Sequence, residues 1–280
     1  MARRSLGAVL AAALVVAGCA SSRPAPELVV GAGTDQESTV VAQVYAAALR
    51  YYGSPARVER VPDPIDALEA GQVSVAPGFT GDLLTRFAPD PFVISDKNVY
   101  RKMVAALPEG IAAGDYTTAA QDRAQLVVTE QTAAAWGGRE LTAVLRHCKQ
   151  LTTGAVAGVK TPAAIGGCKL PTPREFPTDA ALFAALRAGQ INAAWTTTAA
   201  PDIPGDVVQL ADRAPPMVQA ENVVPLYRRT ELSDQEVVAI NEVAGEFDTS
   251  ALADMRSQVA KGADPREVAE AWLSAHPLGR

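Results

Sequence analysis

Histidine, cysteine and aromatic residues are scarce in this chain, and each shortage excludes something. Two histidines and three cysteines in 280 residues leave no second ligand at useful spacing. No metal site is expected, and His147 and His276 read as surface residues. His147 lies in the basic helix end Arg146-His147-Cys148-Lys149, where a cation suits the dipole without any catalytic role. Positive charge is not in excess either. Lys and Arg number 25 against 31 Asp and Glu, a formal net charge of −6, so nucleic acid is not an expected partner. Beyond the N-terminus no apolar stretch reaches the about 20 residues that span a bilayer. There is no Gly-x-Ser-x-Gly elbow and no pairing of a histidine with a nucleophile, so no enzyme is expected. Gly31-Ala32-Gly33 lacks the third glycine of a dinucleotide fingerprint, because Gln36 stands in its position; no cofactor is expected. What remains is a helix start beside two glycines, either a seat for a carboxylate or other anion or a tight turn without a ligand. Hydrophobic residues at 48% and charged residues at 20% are ordinary for a folded globular chain.

The N-terminus is the most informative stretch. Arg3 and Arg4 precede a small-apolar run from Leu6 to Ala17, which ends at Val16-Ala17-Gly18-Cys19. A basic segment, an apolar segment and a small-residue cleavage site read as an export signal over residues 1–18. A plain signal peptide or a short anchor is the alternative, although the run is too short to cross a bilayer. The segment resembles the lipobox of bacterial lipoproteins. That resemblance implies that Cys19 carries diacylglycerol as the mature N-terminus and that residues 19–26 form a lipidated Ser/Pro linker. Two or more fatty chains, palmitate among them, would then hold the body on the extracytoplasmic face of the cell membrane, where one chain alone binds marginally. The about 260 residues left suffice for one large domain or two lobes. Cys148 and Cys168 form an even pair in an exported chain. They are either a disulfide closing a loop of about 20 residues, worth roughly 3 kcal/mol, or two buried thiols; an oxidising compartment favours the disulfide.

Along the body, Leu28–Gly31 reads as a buried strand. Thr34 to Tyr52 reads as a helix opened by a Thr34/Glu37 capping box. Ala56–Val61 and Gln72–Ala76 read as strands around a short helix at Pro64–Ala70. This β-α-β-α-β order predicts a parallel sheet with crossover helices. Strands are expected again at Gln125–Thr129, Ala155–Val159, Ile191–Trp195 and Asp206–Leu210, and helices at Arg139–Gln150 and Asp179–Ala188. Ser233 with Glu236 opens a helix in the tail. Asp264-Pro265 opens another, with Trp272 as a core residue. Arg213-Ala214-Pro215-Pro216 reads as a connection between lobes.

Several stretches resemble one family. Val29-Val30-Gly31 through Ala46-Ala47-Ala48-Leu49, Pro77-Gly78-Phe79-Thr80-Gly81, Ala193-Ala194-Trp195-Thr196-Thr197, and Asn222-Val223-Val224-Pro225-Leu226 onward to Trp272-Leu273 are similar to the substrate-binding lipoproteins of glycine betaine, carnitine and choline ABC importers, the osmoprotectant group. The resemblance implies an α/β fold of the two-lobed type II periplasmic-binding-protein class, with mixed sheets and an interlobe cleft. Lobe one would take residues 27–120 and 211–280, and lobe two residues 121–210, with the crossovers as hinge. The partners implied are a small-molecule solute and the permease of an ABC transporter.

A quaternary ammonium donates no hydrogen bond, so aromatic faces hold it, at roughly 0.5 to 2 kcal/mol per ring. Donors at the other end of the cleft hold a carboxylate. In this family tyrosines from both lobes box the cation. Here one box position carries Trp195, expected to stack on the cation. Others carry Glu221 and Ala124, the turn tyrosine has become Phe79, and Tyr100 matches a further aromatic. Gly33, Thr34, Ser38 and Thr80 are expected at the anionic end, Thr197 beside Trp195, and Glu221 with Asn222 as tuners of selectivity. Glu221 suits a cation with N–H donors or pairs with Arg123; alternatively it faces water at the rim. Losing two rings costs about 1 to 4 kcal/mol. Either the ligand has changed, or aromatics such as Tyr116 compensate, or the chain is an accessory or structural lipoprotein that kept the fold and lost osmolyte binding.

Overall fold

The computed structural model describes residues 26–90 and 92–279. The expected export signal and Cys19 lie outside the described residues.

The chain opens with strand β1, Leu28–Ala32, and helix α1, Gln36–Tyr51. Asp35 caps α1, its Oδ1 accepting the Ser38 amide at 2.7 Å. The expected Thr34/Glu37 box does not form, because the adjacent carboxylate takes the capping position and Glu37 turns to Arg256. Helix α1 is buried nearly all round, as a helix at the centre of a lobe must be. Strand β2, Ala56–Arg60, and helix α2, Pro64–Glu69, follow as expected. Strand β3 lies at Val75–Phe79, three residues later than the pattern suggested. Pro77 sits inside it, facing Pro225 across one antiparallel pair, so two residues without N–H donors share one register position. Helix α3, Thr80–Phe87, helix α4, Asp96–Ala105, and strand β4, Ile111–Ala113, complete this stretch.

The middle of the chain begins with strand β5, Ala124–Thr129, and helix α5, Glu130–Trp136. The helix expected at 139–150 is broken: 3-10 turns at Leu141–Ala143 and Cys148–Gln150 flank a single turn, α6, Val144–His147. Strands β6, Thr153–Val156, β7, Ala164–Ile165, β8, Cys168–Lys169, and β9, Arg174–Phe176, come next. They are followed by helix α7, Asp179–Arg187, and strands β10, Ala193–Thr197, and β11, Val207–Gln209. A disulfide joins Cys148 to Cys168. Strand β12, Val223–Arg228, and helices α8, Asp234–Glu246, α9, Thr249–Ala260, and α10, Pro265–Ala275, end the chain. The Ser233/Glu236 capping box forms as read.

Two five-stranded mixed sheets result, ordered β2-β1-β3-β12-β4 and β11-β5-β10-β6-β9. In the first, β1 pairs parallel with β2 and β3, and β12 runs antiparallel to β3 and β4. One face packs on α1 and the three C-terminal helices, with Trp272 in that core. The other face packs on α2, α3 and α4. The second sheet is likewise covered on both faces, by α5 with the disulfide region and by α7. Such two-sided burial suits strands that read as short apolar runs.

Two crossovers join the halves, one between β4 and β5 and one between β11 and β12. They run side by side, bridged antiparallel at Gln121 and Asn222. In the second crossover, Val218 packs in a core of the second sheet and Ala220 in a core of the first.

Candidate functional site

The carboxyl ends of parallel strands in an open α/β sheet are where such folds bind ligands. Strands β1 and β3 end there at the starts of α1 and α3. From the other half, β6 runs into the loop that carries Lys160, and β10 into Thr198 and Ala199. Contacts join these ends. Lys160 Nζ lies 2.6 Å from Asp82 Oδ1 on α3. Arg256 Nη1 donates to Glu37 on α1 at 2.9 Å, to Asp122 in the first crossover at 3.0 Å and to the Ala199 carbonyl at 2.9 Å.

Glu221 lies where these segments meet. Its Oε2 accepts the Gly81 amide at 2.9 Å and the Asp82 amide at 3.0 Å, so its carboxylate caps the N-terminus of α3. Glycine at 81 makes this approach possible: a Cβ there would lie 2.4 Å from Glu221 Oε1 and 2.7 Å from the Ala220 carbonyl. Burial pushes the Glu221 carboxyl up to about 8, and Asp82 adds to this, against the two amides and Lys160. Burial first, and Asp122 second, hold the Glu37 carboxyl well above the usual carboxylate range. Arg123 pairs with Asp212 at 3.2 Å and not with Glu221. Asp212 also accepts the Met217 and Val218 amides.

The remaining sequence-predicted residues divide. The Gly33 amide donates to Ser38 Oγ at 2.6 Å, and Thr34 beside it is exposed. Thr80 is fully buried, and its Oγ1 accepts the Asn222 amide at 3.1 Å. Asn222 Nδ2 donates to the Thr117 carbonyl at 2.9 Å, while its Oδ1 is buried and has no partner among the described residues. Phe79 is half-buried against the α1 side of the first sheet. Thr197 ends β10 opposite Ala124.

Two aromatics lie elsewhere than expected. Trp195 is 1% exposed, packed in the core of the second half with Leu126, Val128 and Ala155. A ring so enclosed has no free face, so the expected stacking of Trp195 on a cation is not what this conformation offers. The alternation of strand β10 turns it inward, between β5 and β6. Tyr100 sits on α4, its hydroxyl donating to the Gly114 carbonyl at 2.8 Å and its ring 4.6 Å from Tyr116. That pair belongs to the packing of the first half.

Asp82, Asp122, Lys160, Asp212 and Arg256 had no signal in the sequence beyond being single charges; only the topology brings them together. At the junction three aspartates meet three cations, Lys160 with Asp82, Arg256 with Asp122 and Arg123 with Asp212, so its paired charges balance. Among the described residues no group of His, Cys, Asp or Glu is placed to hold a metal ion. Cavities of about 320, 340 and 570 Å³ lie against residues of the first half and the second crossover, away from Glu221.

Comparison with known proteins agrees with this fold. The structure is similar to that of a glycine betaine/carnitine/choline ABC transporter, with a TM-score of 0.72 and 16% identity over 89% of this chain and 98% of that one. Unliganded YehZ from Escherichia coli gives a TM-score of 0.69 at 17% identity, over 90% of this chain and 99% of its own. An ABC-transporter choline-binding protein in complex with choline gives 0.55 at 15% identity, over 90% and 89%. At such identities these likenesses speak for the fold. No curated protein matches by sequence. The sequence model of the substrate-binding domain of the ABC-type glycine betaine transport system matches residues 26–275. The chain therefore belongs to the family of substrate-binding domains of ABC-type glycine betaine transport systems.

Proposed function

We propose that this chain is the solute receptor of an ABC importer, held by a lipid on Cys19 at the extracytoplasmic face of the cell membrane. It captures a small polar or cationic solute of the glycine betaine/choline type between its two lobes and presents the closed form to a permease. The observation that carries this reading is the junction itself. In a chain whose family binds transport substrates, the ends of β1, β3, β6 and β10 meet beside two adjacent crossovers, an arrangement that suits hinge closure.

A calorimetric titration with choline, carnitine and glycine betaine tests the reading. Saturable binding of at least one is expected; no binding of any would overturn it. For the tether, mass spectrometry of the mature N-terminus should find diacylglycerol on Cys19, and Cys19→Ala should move the protein from the membrane to the soluble fraction.

Two observations favour a second reading, an accessory lipoprotein without a solute. Trp195 is enclosed, and the backbone donors at the junction already have partners within the chain. Thermal melting separates the two. A solute at one hundred times its dissociation constant adds about 2.7 kcal/mol, a visible shift, whereas the accessory reading predicts none across a broad panel of metabolites.

A further inference from the structure

Helix α9 lies along the joint between the two halves. Its inner residues Leu252, Met255 and Val259 pack in the α1 core of the first sheet. Its polar residues turn to segments outside that core. At its start, Thr249 Oγ1 accepts the Gln121 amide at 3.0 Å and donates to the Ala119 carbonyl at 2.9 Å, both in the first crossover. Two turns on, Arg256 Nη1 donates to Glu37, to Asp122 and to the Ala199 carbonyl. At its end, Ser257 Oγ donates to Asp202 Oδ1 at 3.1 Å, and Lys261 Nζ lies 3.2 Å from the same oxygen. From Thr249 to Lys261 the helix runs about 18 Å.

Its counterpart in the second half is the turn after β10. Ala199 is fully buried, and it sits in a core of the first half although its strand belongs to the second sheet. Its amide donates to Asp122 Oδ1 at 2.7 Å, while its carbonyl accepts from Arg256. Asp202, three residues on, has a left-handed backbone with φ 55°, a conformation that aspartate adopts more readily than most residues.

The contact between Lys160 and Asp82 is of another kind. Their side chains are 80% and 44% exposed, against 19% for Arg256 and 5% for Asp122. Exposed pairs contribute little, whereas a charged hydrogen bond shielded from water contributes more. The two contacts also lie on opposite faces of the first sheet: α3, which carries Asp82, packs in the core opposite the one that holds α9 and Ala199. We infer that α9 is a fixed brace on which the two halves pivot, so that the receptor proposed above opens on the Lys160 side while the turn after β10 stays docked.

Amide hydrogen exchange on the full chain without solute tests this, read at Ala199, whose amide reports the docked turn. Lys160→Glu sets a like charge against Asp82. It should raise the radius of gyration in small-angle scattering and leave Ala199 exchange within about twofold of the unaltered protein. Arg256→Gln should speed Ala199 exchange about tenfold or more, the loss of a charge-assisted hydrogen bond, with the amides of β1 and β5 unmoved. Ser257→Ala combined with Lys261→Ala keeps a good helix former at both positions. It should speed Ala199 exchange severalfold, and it decides the matter where Arg256→Gln does not fold. Ala199 exchange that is unmoved by these changes on α9, that rises as much in Lys160→Glu, or that rises together with β1 and β5 would overturn the brace. A radius of gyration that does not grow in Lys160→Glu would overturn the side of opening. None of these readouts needs a solute, so failure of the brace would leave the receptor function standing, and failure of solute binding would leave the brace.

Discussion

Glu37 and Gly81 show how single residues carry the junction. Glu37 is buried beside Asp122, and both approach one nitrogen of Arg256. Its raised carboxyl fixes the sign of a pH effect. In the folded protein Glu37 keeps a proton that the unfolded chain releases near 4.5. Its contribution to stability is therefore complete below that value and is lost as pH rises through the raised folded value. Glu221 acts in the same sense up to about 8. Urea denaturation should give a stability that falls from about pH 5 to about pH 9, and Glu37→Gln should flatten that fall. Gly81 is a steric requirement. Its Cβ would enter the space of Glu221 Oε1 at 2.4 Å and of a carbonyl at 2.7 Å, so Gly81→Ala should cost about 1 to 3 kcal/mol, read as a lower denaturation midpoint.

At the scale of elements, what the sequence told depended on whether local chemistry met competition. The Ser233/Glu236 box and the Asp264-Pro265 start are legible because their capping bonds join neighbours in sequence; Ser54 also donates to Glu236, through Oε1, and leaves Oε2 to the box. The Thr34/Glu37 signature misled because Asp35 caps better and Glu37 is drawn to Arg256, far along the chain. Strand β3 was displaced in the reading because Pro77-Gly78 has the composition of a turn. Pairing with β12 across Pro77 and Gly78, and with β1 at Val75, makes a strand of it. The helical pattern at 139–150 breaks where Cys148 is tied to Cys168. That bond spans a separation of 20 residues. Replacing both cysteines by serine should cost about 3 kcal/mol, measured by denaturation of the unaltered protein and the double variant side by side.

For the whole molecule, the fold and the family were readable from dispersed motifs, and the family match over residues 26–275 takes in both sheets. The site was only partly readable. Glu221, Asn222 and Thr80 lie close together where α3 meets the second crossover. Trp195 is not among them, since a strand's alternation decides which half of its residues look inward, and the apolar surroundings of β10 claim the indole. The charged residues that do meet at the junction come from segments far apart in sequence, which no local pattern reports. Lys160 and Asp82 join the halves directly. The pair is exposed, so Lys160→Ala should alter stability by no more than about 1 kcal/mol. It should nonetheless favour the open form of the unliganded protein, seen as a larger radius of gyration in small-angle scattering.

Most direct would be a crystal structure of the protein grown in saturating choline. The account predicts the solute between the two halves, within reach of both α3 and the Lys160 loop. Choline bound elsewhere on the surface, or a junction that stays empty while the lobes keep their arrangement, would contradict it.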